Sequence, residues 1–286
     1  MDLEPILSGF AFIEGPRADE QGNLYFSDVM LGGIHKRSAD GRVTSFLPDR
    51  KWIGGLALNE NGGIVCSGHG GLWYVDERTG ASRPLLDRID GAAINAINDI
   101  QPDGSGGLYF GTIDGSSLAA GLPSQPGALF RLDPGGEVTK LWDDIPMSNG
   151  LGISPDGRTL YHSRTFEGIY AYDLGADGSL RNDRLIAPMY DSDGLAVDAE
   201  GGIWIAACRA GEIRRHLPSG EIERVVQLPV KEVLSMTFGG ADLKDLYIVT
   251  AYPGSIDALS ADIQRTATVF RVRSDIPGQA LTRTRF

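Results

Sequence analysis

The chain has 286 residues, 42% hydrophobic and 22% charged, a balance that excludes a disordered chain or a fibre. A chain of this length is able to bury about 73% of its unfolded surface, enough for a sizeable core. Its 38 acidic and 26 basic side chains leave a net charge of −12 with no block of Lys or Arg to track phosphates, so nucleic acid is not expected as a partner.

The start, Met1-Asp2-Leu3-Glu4, lacks a basic segment, and no run approaches the ~18 apolar residues that cross a bilayer. A cytoplasmic protein with no membrane partner is expected. Cys66 and Cys208 both lie in apparent strands and read as buried free thiols.

Thirty-nine glycines and 15 prolines leave little room for long helices, and the apolar residues come in short runs cut by Asp-Gly, Asn-Gly and Gly-Gly. That pattern is all-β. In chain order, the first unit holds Gly22-Asn23-Leu24-Tyr25-Phe26 and then Ile34-His35-Lys36-Arg37. The second holds Gly55-Leu56-Ala57-Leu58-Asn59, Gly62-Gly63-Ile64-Val65-Cys66 and Leu72-Trp73-Tyr74-Val75. The third holds Gly106-Gly107-Leu108-Tyr109-Phe110, the longest insertion (Ile113 to Gly127) and Ala128-Leu129-Phe130-Arg131. That insertion reads either as a lid or as a surface excursion.

The fourth unit holds Gly150-Leu151-Gly152-Ile153-Ser154, Gly157-Arg158-Thr159-Leu160-Tyr161 and Ile169-Tyr170-Ala171-Tyr172. The fifth holds Gly194-Leu195-Ala196-Val197-Asp198, Gly201-Gly202-Ile203-Trp204-Ile205 and Ile213-Arg214-Arg215-His216. The sixth holds Lys244-Asp245-Leu246-Tyr247-Ile248 and Val269-Phe270-Arg271-Val272. Measured at Leu24, Ile64, Leu108, Leu160, Ile203 and Leu246, the spacings are about 40, 44, 52, 43 and 43 residues. This is the period of a four-stranded blade, and it predicts one six-bladed β-propeller domain over residues 1–286. No outer strand follows Val272, so residues near Ile6 and Leu7 are expected to close the ring.

Ten or eleven positions before each of those markers stand Glu14, Gly54, Asn98, Asn149, Asp193 and Ser235. Equivalent offsets are equivalent places around the channel mouth. Glu14, Asn98, Asn149 and Asp193 are therefore expected to converge, and carboxylate and amide oxygens suit a hard dication with open positions for water and substrate. Taken singly, Asn or Asp beside Gly is an ordinary turn residue.

Phe12-Ile13-Glu14-Gly15-Pro16, Asn98-Asp99-Ile100, Ser148-Asn149-Gly150-Leu151, Asp193 to Gly201 and Phe238-Gly239-Gly240 together resemble the motifs of the SMP-30/gluconolactonase/LRE-like family over nearly the whole chain. The resemblance implies a six-bladed propeller that binds one divalent metal and hydrolyses lactones or related esters, with some relatives acting on organophosphates. It implies Glu14, Asn149 and Asp193 as metal ligands, with Asn98 touching the metal, its water or the substrate. Many sugar lactonases of the family have an Arg where this chain has Ala96. The aromatic residue usual after Glu-Gly-Pro gives way to Arg17-Ala18, and an Asp of the fourth blade to Arg164.

Asp193 is the expected general base toward a metal-activated water. No Gly-x-Ser-x-Gly elbow supports a serine nucleophile. Links between second and third strands should open on the same face, which makes Asp28, His69, Asp114, Arg164 and Arg209 candidates for substrate contact. His35, His162 and His216 read as surface or packing residues. Ile94, Ala96, Ile97, Trp52 and Met147 suggest a pocket less polar than a sugar site, for lactones in general. One divalent ion is expected, Ca²⁺ first, with Zn²⁺, Mg²⁺ or Mn²⁺ open. The partner is a small lactone or ester, and the chain is expected to be a monomer or small homo-oligomer. Two alternatives stay open: a phosphotriesterase-like hydrolase, and a non-catalytic propeller binding a small ligand or protein.

Overall fold

Residues Leu24-Tyr25-Phe26 and their counterparts are buried on both faces, so each of these strands needs a neighbour on either side. The computed structural model describes residues 2–256 and 262–286 and supplies those neighbours as six four-stranded antiparallel sheets arranged as propeller blades. From the axis outward, the first blade runs Ile13–Ala18, Leu24–Asp28, Ile34–Arg37 and Val43–Phe46. The second runs Leu56–Leu58, Gly63–Cys66, Leu72–Asp76 and Ser82–Leu86. The third runs Ala96–Pro102, Leu108–Ile113, Gly127–Leu132 and Val138–Ile145. The fourth runs Ser148–Ile153, Thr159–Arg164, Gly168–Leu174 and Leu180–Pro188. The fifth runs Ser192–Val197, Ile203–Ala207, Glu212–His216 and Ile222–Gln227. The sixth takes Val233–Gly239, Asp245–Thr250 and Ala267–Arg273, and its outer strand is the N-terminal Leu3–Phe10. The expected closure is present: Leu3 pairs with Val272 and Phe10 with Ala267.

Side chains alternate across a strand, and this sets the core. Leu24 and Phe26 pack with Val249 and Val269 of the sixth blade, whereas Tyr25 packs with Leu56 and Ile64 of the second. Leu108 and Phe110 likewise face the second blade, and Tyr109 faces the fourth. Ile203 and Ile205 face the fourth blade, and Trp204 faces the sixth. The core is therefore a ring of six inter-blade layers. Each fully buried large side chain contributes about 1.5–3 kcal/mol.

Four inner strands share one irregularity that the second blade's, Leu56–Leu58, does not have. The register shifts between Glu14 and Arg17, between Ile97 and Ile100, between Ser148 and Leu151, and between Ser192 and Leu195. Each shift is a bulge that re-aims a side chain. In the first, Gly15 has φ +55°, and a Cβ there would lie 2.6 Å from the carbonyl oxygen of Gly54. Only glycine allows this turn and this approach of the second blade.

The described helix, Gly115–Ala119, lies in the long insertion of the third blade. Among the described residues no helix is long and apolar enough to cross a membrane.

Candidate functional site

The bulges place Glu14, Asn98, Asn149 and Asp193 on the wall of one pocket of about 230 Å³ at the channel mouth. Gly54 occupies the equivalent position of the second blade. A Cβ there would lie 2.8 Å from Asn98 Oδ1, so the absent side chain leaves room for the amide. Ser235, the sixth residue at this offset, is buried beside Gly194 and does not line the pocket.

A relay of hydrogen bonds orients the amides. Asn98 Nδ2 donates to Asn149 Oδ1 at 2.6 Å and to the Ser148 carbonyl at 2.9 Å. Asn149 Nδ2 donates to Thr165 Oγ1 at 2.7 Å, and Thr165 Oγ1 donates to the Ser192 carbonyl at 2.5 Å. With both amide nitrogens engaged, Asn98 Oδ1 and the second lone pair of Asn149 Oδ1 are left to accept. Thr165 had no signal in the repeat, because it follows the end of a strand rather than opening one.

Glu14 and Asp193 are both buried. Desolvation, the Asp193 charge and the Asp99 charge push Glu14 well above the usual carboxylate range. Desolvation, then Asp99, does the same to Asp193. Among the described residues neither carboxylate has an ion-pair partner. Buried carboxylates that repel one another stay ionised only beside a cation. Among the described residues no group of three or more His, Cys, Asp and Glu is gathered as a metal cluster. The donor set is two carboxylates and two amides, all oxygen, which fits a hard dication with open positions better than a closed zinc site.

The rest of the wall is largely apolar. Phe12, Val29, Trp52, Ala96, Ile97 and Met147 line it, and the short helix adds Leu118. Trp52 and His69 stack with ring centroids 5.0 Å apart, and Phe166 and Tyr190 pair at 5.2 Å on the exposed rim. The insertion is thus part of the pocket wall. Cys208 also lines the pocket, but burial, with Asp193 nearby, pushes its thiol up and keeps it protonated.

Of the expected substrate contacts, His69 and Arg209 line the pocket and three others do not. Asp28 is fully buried and accepts from the backbone N–H groups of Ala11, Phe12, Met30 and Leu31, so it organises the link between strands. Asp114 caps the short helix, accepting from Ser117 N at 3.2 Å and from Asn95 Nδ2 at 3.0 Å. Arg164 lies 3.8 Å from the Tyr170 ring centroid, donates to Tyr172 Oη and pairs with Glu167 and Asp183. It is held within its own blade, so the reading of Arg164 and Asp114 as pocket residues is corrected. Ile94 belongs to the layer between the second and third blades rather than to the mouth. Phe166 and Tyr190 escaped sequence reasoning because their exposed rings follow no strand periodicity.

A model of the SMP-30/gluconolactonase/LRE-like region matches residues 12–252. The chain is 30% identical over 265 residues to the 6-deoxy-6-sulfogluconolactonase of Pseudomonas putida, covering 90% of this chain and 89% of that protein. It is 29% identical over 244 residues to the regucalcin of Xenopus laevis, covering 82% of this chain and 81% of that one. Among solved structures, a luciferin-regenerating enzyme matches with a TM-score of 0.87 at 24% identity, over 100% of this chain and 99% of that chain, a likeness of fold.

Proposed function

Because the chain belongs to the SMP-30/gluconolactonase/LRE-like family, we propose that it is a lactonase that opens a cyclic ester with water at the channel mouth, using a divalent cation. The observation that carries this reading is the pair of buried carboxylates, Glu14 and Asp193, facing the pocket beside two oriented amides. Glu14, Asn149 and Asp193, with Asn98, would hold the ion, and Ca²⁺ is the first choice for an all-oxygen set. When bound, the ion supplies Lewis acidity toward the carbonyl oxygen and makes water easier to deprotonate.

The chain's own groups do the rest. Asp193 takes a proton from the attacking water as its oxygen bonds to the carbonyl carbon. The ring C–O bond then breaks, and the same proton returns to the leaving alkoxide to give a hydroxy acid. Asn98 keeps Asn149 in position through its amide nitrogen, and the apolar wall excludes bulk water. His69 and Arg209 are among the polar groups of the wall that a substrate's ring or chain would meet. The run of Phe12, Trp52, Ala96, Ile97 and Met147 favours lactones with alkyl or aryl substituents over polyhydroxylated ones, because unpaired hydroxyls are costly there.

The test is hydrolysis of alkyl lactones, aryl lactones, aldonolactones and an aryl phosphotriester, before and after EDTA, with Ca²⁺, Mg²⁺, Mn²⁺ or Zn²⁺ added back. Lactone turnover that disappears with EDTA and returns selectively supports the reading, and Asp193→Ala should remove it by at least about 100-fold. A folded protein inert toward every lactone, with only its Tm dependent on cations, would favour a binding scaffold.

A further inference from the structure

Phe166 and Tyr190 line the rim of the pocket, 46% and 67% exposed, and no step of the hydrolysis uses them. The link from Thr159–Arg164 to Gly168–Leu174 has three residues, Thr165, Phe166 and Glu167. In the matching links of the first, second and fifth blades the left-handed position falls to glycine: Gly32, Gly70 and Gly211, with φ +98°, +75° and +73°. The fourth blade has Phe166 there instead, at φ +80°. A bulky L side chain is strained in that region, and glycine is not. Burial offsets little of the strain, because Phe166 is nearly half exposed. Strain of this kind collects at ligand clamps.

The backbone fixes where the ring goes. Phe166 N donates to the Tyr190 carbonyl at 2.9 Å, and the two rings pair with their planes 54° apart. Thr165, one residue earlier, turns inward to hold Asn149, so one short link serves both the oriented amide and the rim. A second strained aromatic stands opposite. Trp52, at φ +62°, lies between the first and second blades and Tyr190 between the fourth and fifth, half a turn apart in a ring of six. Among the described residues, Trp52 and Phe166 are the aromatic residues with positive φ, and both line this pocket. Trp52 is stacked on His69 with the planes 11° apart. The charged residues beside Tyr190 on the wall are Asp191 and Arg209, and the Asp191 carboxylate accepts from the backbone N–H of Arg209 at 3.1 Å. Aromatic rings held at the mouth, outside the buried carboxylates, suit a flat ligand group. An aromatic ring pairs with them through matched quadrupoles, and a saturated ring of similar size does not.

We propose that Phe166 and Tyr190 form a rim platform that selects lactones carrying an aromatic ring on the side away from the ester, with Trp52 facing it across the mouth. The inference rests on the lactonase reading, but its first readout is binding rather than turnover. Calorimetry on the full chain with Ca²⁺ present compares two unreactive lactams, 4-phenyl-2-pyrrolidinone and 4-cyclohexyl-2-pyrrolidinone. Kinetics compares the two matching lactones, and Tm is measured in parallel. Wild type should bind the phenyl lactam at least about fivefold more tightly than the cyclohexyl one. Phe166→Leu and Tyr190→Leu, which keep apolar surface but lose the flat face, should each cut that preference to within about twofold. On the phenyl lactone they should act on KM rather than on kcat, because the ring lies away from the reacting carbon. Phe166→Gly should also lose the preference while keeping or raising Tm, since glycine relieves the strain. Wild type without a phenyl preference, or leucine variants that retain it, overturns the platform and leaves the lactonase reading intact. So does a Phe166→Gly variant that keeps the preference and loses Tm, which would make Phe166 a packing residue. Phenyl-selective binding with no turnover of any lactone does the reverse: the platform stands and the lactonase reading falls.

Discussion

At Ala96 the pocket presents a methyl group where many sugar lactonases of the family present a guanidinium. Ala96 is also packed under the short helix, since a Cβ on Gly115 would lie 2.7 Å from Ala96 Cβ. A long side chain at 96 must push the helix away or enter the apolar pocket. Ala96→Arg should therefore raise the ratio of kcat/KM for an aldonolactone over an alkyl lactone by at least about tenfold, because the added donors meet hydroxyls and spoil the apolar wall. An unchanged ratio would remove Ala96 as a determinant of substrate. Ser148 and His162 show how residue identity alone misleads. Ser148 Oγ lies 2.8 Å from His162 Nε2, a distance suited to a nucleophile and its base, yet both residues are fully buried away from the pocket. Burial, aided by Arg164, pushes His162 down to about 3. Its folded form is neutral while the unfolded imidazole titrates near 6.5, so below about pH 6.5 the unfolded state binds the extra proton. Stability then falls as pH drops toward 3, by about 1.4 kcal/mol per pH unit for this one group. Urea unfolding of wild type and His162→Gln between about pH 7 and pH 4.5 should give curves that converge on acidification, the variant being flatter. A constant difference would show that His162 does not titrate in this way.

The recurrent element is a turn joining the first and second strands, built on an acid five residues before a strand. Asp19 Oδ1 accepts from the backbone N–H of Gln21 and Asn23, Asp103 Oδ1 from Ser105 and Gly107, and Asp198 Oδ1 from Glu200 and Gly202. The second oxygen reaches sideways: from Asp19 to Tyr25 Oη, from Asp103 to Arg131 Nε, from Asp198 to Trp204 Nε1 and Arg215 Nε. Asp198 and Arg215 are both almost entirely buried, so Asp198→Ala leaves the indole N–H without its acceptor and the guanidinium with its hydrogen bond to Glu223 but none to Asp198. This should cost about 3–5 kcal/mol, while Asp19→Ala, which faces no arginine, should cost nearer 1–2 kcal/mol. Equal losses in denaturant titrations would contradict this account. These turns explain why the blades were readable: each leaves a glycine and an alternating apolar strand at a fixed distance, and the period of two sends neighbouring residues to opposite blades. The four pocket oxygens were readable for the same reason, since they share one offset. The bulges beneath them were not, because an inserted residue changes where Glu14 and Arg17 point without changing which residues occur. Arg164 misled for a related reason. It ends a strand at the expected place, but its side chain finds Tyr170, Tyr172 and two acids within its own blade.

For the whole molecule, two terminal segments close what the repeats leave open, and only one of them has a repeat signature. Leu3–Phe10 completes the sixth blade, as the missing outer strand after Val272 led one to expect. The segment from Pro277 to Phe286 carries no periodic signal, yet it crosses beneath the channel and touches every blade. The Pro277 carbonyl accepts from Ala199 N of the fifth, and Gly278 N donates to the Leu243 carbonyl beside the sixth. Gln279 Nε2 donates to carbonyls of Ile153 and Val197 in the fourth and fifth. Arg283 pairs with Glu20 of the first, Thr284 N donates to the Leu58 carbonyl of the second, and Arg285 N donates to the Gly106 carbonyl of the third. The two closures should fail differently. Deleting residues 2–10 strips a paired strand and exposes the edge Ala267–Arg273, so Tm should drop sharply and light scattering should show association through that edge. Deleting residues 277–286 leaves all six sheets paired but opens the cavity that Met236 and Gln279 line at the base of the channel and uncovers Phe238, whose ring atoms lie within 3 Å of a Cβ placed on Gly278. That variant should stay monodisperse, lose a smaller part of its Tm and bind a hydrophobic dye at the base of the channel. If the C-terminal deletion lowers Tm as much as the N-terminal one, the ring is held by the crossing segment rather than by the shared sheet.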